Sequence, residues 1–256
     1  MVSTSLFQKK RSVNNLKHYK SSTMNELLNK TLSEIVTGNY QTAQVFEKYG
    51  LDFCCKGKRQ LVSACEEKQI GMENIMEDLN QILETEDKFS EFNKMSLTEL
   101  AEYIVRVHHS YVRLNMPRIS DYIMRIVSKH GDHFLYLKEV YTLFTELIED
   151  MEQHMLKEEM ILFPNIKFLQ LSPVGNTGIL NIKAPIDILE LEHEHAGTIM
   201  QKIRSLTNNY SAPEEACTTF RLTLDYLKAF EEDLHHHVHL ENNILFPKAI
   251  AFAEIK

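Results

Sequence analysis

The sequence predicts an all-α protein in two parts, a four-helix bundle preceded by a small helical domain, and three observations carry the prediction. His154-Met-Leu-Lys-Glu158-Glu-Met-Ile-Leu-Phe-Pro164 returns 83 positions later as His237-Val-His-Leu-Glu241-Asn-Asn-Ile-Leu-Phe-Pro247. The shared frame, His-x3-Glu-x2-Ile-Leu-Phe-Pro, is an internal repeat and reads as two copies of one helical hairpin. Apolar residues recur with helical spacing, and no stretch alternates as a strand does. Helix starts and stops punctuate the chain at short intervals before residue 84 and long intervals after it.

In chain order, residues 1–23 carry Lys9, Lys10, Arg11, Lys17 and Lys20 among Ser and Asn and read as a flexible basic tail. Residues 24–83 read as a small helical domain. Thr31-Leu-Ser-Glu34 is a capping box, Gly38 and Gly50 are helix ends, and Gln60 to Ile70 before Gly71 is a further short helix. Residues 84–95, acidic and polar, read as a linker. Four long helices follow within 96–256. The first opens on the capping box Ser96-Leu-Thr-Glu99, runs past His109 towards Ser128, and carries Pro117 as a kink. The second covers about 133–168, with the loop from Leu171 to Gly178 after it. The third starts near Pro185 and ends near Asn208, and the fourth begins after Glu214.

A His and a Glu four residues apart on a helix lie on one face, about 6 Å apart along the axis, and can reach one metal ion. Such pairs are common on solvated surfaces. Here the same face carries Leu147, Met151, Ile161 and Leu162 around His154 and Glu158, and Phe230, Leu234, Ile244 and Leu245 around His237 and Glu241. These stripes place polar groups in the core, where an unpaired carboxylate costs several kcal/mol and a metal satisfies two together.

The first and third helices should then supply further ligands, from His108 or His109 and from His193 or His195. Neighbours on a helix point about 100° apart, so only one of His108 and His109 can aim at the centre. His109 precedes His154 by 45 positions and His193 precedes His237 by 44, the best-matched spacing. His108 and His195 are expected outside or as supporting groups. His235, His236 and His239 lie off the His237 stripe and are expected on the surface, and His130 and His133 at a turn. Four His and two Glu are too many for one zinc and lack thiolate. They suit two metals about 3.5 Å apart with both carboxylates bridging. The Glu-x-x-His pattern of ferritin-like bundles is absent.

The remaining motif is Leu51-Asp-Phe-Cys54-Cys55-Lys-Gly57. Adjacent cysteines grip one ion poorly, so zinc is disfavoured. Two readings stay open: buried structural cysteines, or a reactive thiol whose thiolate is favoured by Lys56, Lys58, Arg59 and the following helix N-terminus.

The HEHAG sequence at His193, the two His-x3-Glu frames with their Ile-Leu-Phe-Pro endings, and Asp52-Phe-Cys54-Cys55-Lys-Gly57 together resemble the iron-sulfur cluster repair di-iron proteins, over about residues 24–252. The resemblance implies a hemerythrin-like bundle holding two iron ions through His109, His154, Glu158, His193, His237 and Glu241. It also implies a cytoplasmic stress protein, a homodimer, that restores damaged iron-sulfur proteins; the mechanism expected beside it has Cys54 or Cys55 contributing thiol chemistry near the di-iron centre. Oxygen or NO binding and sensing is the alternative, and turnover, with the centre reducing NO, is a third reading. The formal charge of -8 argues against nucleic acid or an anionic membrane as partner, and no apolar run reaches about 20 residues.

Overall fold

The computed structural model describes residues 26–83, 91–172 and 182–255. The basic tail, most of the linker and most of the loop after Leu171 lie outside them. The chain divides into two compact units, Met1–Glu91 and Phe92–Lys256. Among the described residues every regular element is helical, and the one β-bridge pairs Thr31 with Gln60.

The first unit is built of α1 (Leu32–Gly38), α2 (Ala43–Lys48), α3 (Leu61–Glu67) and α4 (Met72–Leu83). Thr31 caps α1 as expected: its hydroxyl accepts from Glu34 N–H while the Glu34 carboxylate accepts from Thr31 N–H. Gly50 ends α2 in the left-handed region, at φ 64°. The next stop differs from expectation, because α3 ends at Glu67 and Gln69, not Gly71, takes the left-handed turn at φ 55°. Phe46, Phe53, Leu61, Ile75 and Leu79 are fully buried and fill the small core.

The second unit holds four long helices, three of them interrupted in the same way. α5 (Leu97–Ile104) passes through a π-helical stretch, Val105–His109, into α6 (Ser110–His130). α7 (Tyr136–Lys157) passes through Glu158–Leu162 into α8 (Phe163–Leu171). α9 (Lys183–Leu206) is α-helical throughout, and α10 (Thr218–His239) passes through Leu240–Leu245 into α11 (Phe246–Ile255). α6 packs on α7 and α10, α7 on α9, and α5 on α8, giving the four-helix bundle. Pro117 sits inside α6, and Pro164 starts α8, where its missing N–H costs nothing.

A π turn carries one residue more than an α turn, and here each closes with a five-residue hydrogen bond: Ser110 N–H to Val105, Phe163 N–H to Glu158 and Phe246 N–H to Glu241. The extra residue shifts the stripe downstream. Ile161, expected in the core, is 53% exposed, while Leu162 and Phe163 turn inward. The end of the expected linker is also structured: Phe92–Lys94 forms a 3₁₀ turn, Phe92 packs edge-on to Tyr103 and His236, and Lys248 donates to the carbonyls of Asn93 and Met95.

In the first unit, Gly57 meets the backbone so closely that an added Cβ would lie 2.1 Å from Phe53 O and 2.9 Å from Ser33 Cβ, whereas one at Gly38 meets nothing within 4 Å. Gly57→Ala is therefore expected to destabilise the protein by about 1–3 kcal/mol through overpacking. Gly38→Ala should be neutral or stabilise by up to about 1 kcal/mol. Urea titration of the full chain checks both, and equal midpoints for the two variants would refute the close approach.

Candidate metal centre

The wide turns set where the polar side chains fall. His109 ends the first π stretch, Glu158 begins the second, and Glu241 lies at the start of the third, each on a helix whose apolar stripe faces the bundle axis. His154 and His237 stand one α turn before the two Glu, and His193 projects from the middle of α9. All six side chains are buried, none more than 1% exposed.

They form two overlapping groups whose candidate ligand atoms all lie within 4.8 Å of one another. One is His109, Glu158, His237 and Glu241, and the other is His154, Glu158, His193 and Glu241. Glu158 Oε2 stands 3.2 Å from His109 Nε2 and 3.4 Å from His154 Nε2. Glu241 faces His193 Nε2 at 3.1 Å and His237 Nε2 at 2.9 Å. His154 Nε2 and His193 Nε2 are 2.9 Å apart. Each carboxylate thus serves both groups, and all four imidazoles present Nε2 inward.

The residues fit a metal. Both oxygens of Glu158, Glu241 Oε2 and His109 Nε2 are buried with no hydrogen-bond partner among the described residues. Orphaned buried polar atoms need an explanation, and converging N and O donors supply one. Burial alone would push both carboxyls up, but the neighbouring imidazoles dominate. Glu158 is lowered, opposed by burial and by Glu241, through His154 and His109, and Glu241 is lowered through His237 and His193. The reciprocal effect on His154 is large: burial opposes its charge, the Glu158 carboxylate favours it, and its pKa rises to about 10. His237 goes the other way, lowered by burial.

A second layer holds most of the rings from behind. His109 Nδ1 lies 2.7 Å from Glu159 Oε1, which Arg113 also reaches at 2.7 Å. His154 Nδ1 meets Glu192 Oε2 at 3.0 Å, and Lys157 contacts the same carboxylate. Glu192 is held at about 2, first by the hydrogen bond from His154. His193 Nδ1 donates to Asn242 Oδ1 at 2.8 Å. Sequence reasoning missed Glu159, Glu192 and Asn242. The available signal was adjacency, because each directly neighbours a residue already singled out.

Of the other histidines, His195, His108 and His130 fall where expected and the cluster at 235–239 does not. His195 is exposed, facing Glu146 and Asp150 at 3.2 and 3.3 Å. His108 is 1% exposed, so of its two expected places it takes the supporting one: Nδ1 lies 3.0 Å from Asp233, and its ring stacks on His237 at 5.5 Å and 7°. His239, expected on the surface, is 1% exposed and accepts from Asn243, while His235 and His236 are half-buried. Phe92 and His108 cover His236 edge-on, which the linker reading did not anticipate. His130 does sit at the end of α6, 3.2 Å from Cys217 Sγ.

The thiolate expectation is corrected for Cys54. Asp52 Oδ1 accepts from the N–H of Cys54 at 3.1 Å, from that of Cys55 at 2.9 Å and from Cys54 Sγ at 3.4 Å, and the two sulfurs lie 3.8 Å apart. The hydrogen bond with Cys55, burial and the Asp52 charge push the Cys54 thiol well up. The basic residues do not prevail, and Arg59 instead pairs with Glu67. Asp52, Cys54 and Cys55 are nonetheless close enough to share an ion.

No described helix is long and apolar enough to cross a membrane. Residues 100–249 match the hemerythrin HHE cation binding domain, and residues 28–83 match ScdA_N, a domain of unknown function. A probable iron-sulfur cluster repair protein of Haemophilus influenzae is 32% identical over 221 residues, covering 86% of this chain and 96% of the relative. The iron-sulfur cluster repair protein YtfE of Citrobacter koseri and that of Escherichia coli are each 32% identical over 220 residues, with the same coverage.

Because His154 carries a proton in the metal-free protein up to about pH 10, a metal binding there must expel it. Both Glu are already ionised near neutrality and add nothing to this competition. Apparent ferrous affinity of the metal-free protein is expected to rise with pH between about 6 and 9, up to about tenfold per unit for each proton displaced, with protons released on loading. Titration in weakly buffered indicator dye measures both, and an affinity flat over that range would refute the assignment.

Proposed function

This chain belongs to the iron-sulfur cluster repair proteins built on a hemerythrin HHE domain, and from that premise we propose that it repairs iron-sulfur clusters damaged by oxidative or nitrosative stress, using a non-haem di-iron centre. The observation that carries the proposal is the pair of overlapping ligand groups sharing Glu158 and Glu241. One group of four would serve a single ion. Two groups with common carboxylates suit two ions side by side.

When bound, the iron pair supplies redox change and labile iron for a damaged cluster. The chain's residues define how. His109 and His237 would hold one position and His154 and His193 the other, and the two carboxylates would offset charge at both. An all-nitrogen and oxygen donor set favours iron over a structural zinc site. Burial of all six side chains keeps bulk water from competing for the donors. In the first unit, the Cys54 and Cys55 thiols provide sulfur chemistry suited to clusters whose own ligands are thiolates. Cys54 rests as the neutral thiol, so it becomes a nucleophile or ligand only when the proton leaves. The client is a damaged iron-sulfur protein, with NO or O2 as the small ligand of the centre. The resemblance also supports a cytoplasmic homodimer acting under stress.

Metal analysis with an absorption spectrum of the purified protein tests the centre: about two irons per chain with oxo-bridge bands are expected, and one zinc per chain would sink the reading. The thiols are tested separately. Cys54→Ser/Cys55→Ser should keep the di-iron spectrum and fail to reactivate an oxidatively damaged iron-sulfur enzyme. Full reactivation would return both cysteines to a structural role.

A further inference from the structure

Three of the four inward-facing imidazoles are held from behind, and the fourth is not. His109 has Glu159, itself tied to Arg113, His154 has Glu192, tied to Lys157, and His193 has Asn242. His237 Nδ1 is buried and has no hydrogen-bond partner among the described residues. What lies against its ring is other rings, His108 stacked at 5.5 Å and His109 at 5.0 Å and 61°.

The difference matters because the outer hydrogen bond does two things. It fixes the proton on Nδ1, so that the Nε2 lone pair faces the metal, and it raises the basicity of that lone pair. Losing such a bond typically costs 10–100-fold in metal affinity. Stacking restrains the tilt of the His237 ring and does neither. Glu158 and Glu241 belong to both groups and so do not distinguish them.

We infer that the two metal positions are unequal, and that the ion held by His109 and His237 is the exchangeable one while the ion held by His154 and His193 is retained. The inference rests on the di-iron reading above and deepens it. One position gives metal up and is reloaded, and the other keeps the bundle's buried carboxylates compensated throughout. At the retained position both rings are anchored from another helix, His154 by Glu192 of α9 and His193 by Asn242 of the α10–α11 helix. The retained position is thereby braced across α7, α9 and the α10–α11 helix.

The test challenges the di-iron holoprotein with the ferrous chelator bipyridine under reducing conditions and follows the chelate colour. Two phases of equal amplitude are expected, the first at least about 10-fold faster. Crystals of protein stopped after the first phase should show iron anomalous scattering between His154 and His193. Scattering on the His109 and His237 side, or both positions half-filled, would overturn the inference. Asn242→Ala should speed the slow phase by about 10–100-fold and leave the fast phase alone, and the reverse pattern would count against it. If that variant does not fold, the wild-type experiment still decides. Two irons leaving in a single phase sink this inference only, whereas a protein without an iron pair sinks the di-iron reading itself.

Discussion

The bundle is organised around two carboxylates placed where carboxylates do not belong. Glu158 and Glu241 sit at the centre of a helical core, fully buried, surrounded by imidazoles. An uncompensated buried charge takes a large share of a domain's stability of about 5–15 kcal/mol, since stranding one by removing its partner typically costs about 3–5 kcal/mol. Among the described residues the ion pairs of Glu158 and Glu241 are with His109, His154, His193 and His237, and Arg113 and Lys157 reach only the outer carboxylates Glu159 and Glu192. In the metal-free state His154 takes up a proton and His109 is raised after it, a partial remedy for two negative charges. A divalent or trivalent pair is the complete one, so folding and metal loading draw on the same energy.

The contrast lies elsewhere in the bundle. Glu231 is also a buried carboxylate, 3% exposed, but it receives Arg204 through Nε at 2.8 Å and Nη2 at 2.7 Å, and the Tyr210 hydroxyl at 2.8 Å. Tyr210 reaches it because Asn208, Asn209 and Tyr210 all take positive φ, turning the chain back on itself after α9. There a cation and a hydroxyl from the chain complete the arrangement. At Glu158 and Glu241 the groups provided are neutral-capable nitrogen donors, which hydrogen-bond a carboxylate poorly when unprotonated and coordinate a cation well. The two sites show the same fold solving one problem in two chemical ways.

Much of this was legible in the sequence because the repeat carries both fold and chemistry. His-x3-Glu with its Ile-Leu-Phe-Pro tail marked two helices and four of the six converging side chains, and the best-matched spacing to the preceding histidines, 45 and 44 positions, selected His109 and His193. Part of what the sequence hid follows from one assumption, that a helix advances uniformly by 100° per residue. The π stretches break it, which is why Ile161 faces solvent and why His108 and His109 are both buried on neighbouring sides of one helix. His239 precedes the third π stretch, on the same α-helix as His237, so its burial is not an effect of phase; Asn243 donates to its Nδ1. At Cys54 the fault was one of environment: counting Lys and Arg along the chain misses what the fold puts against the thiol, the Cys55 sulfur, burial and the Asp52 carboxylate.

The wide turns also fix how these helices can change length. Each π stretch adds one residue to an otherwise α-helical rod, and each lies at the level of the buried Glu and His. Because a wide turn absorbs one residue within itself, deleting one there would return the turn to α and leave the helix beyond it facing as before; what is lost is the widened turn from which His109, Glu158 or Glu241 projects. α9 has no such stretch and meets the centre through His193 alone. Three of the four rods can therefore shed a residue at the metal level without turning their far ends, whereas a deletion near His193 would rotate the rest of α9 by about 100°.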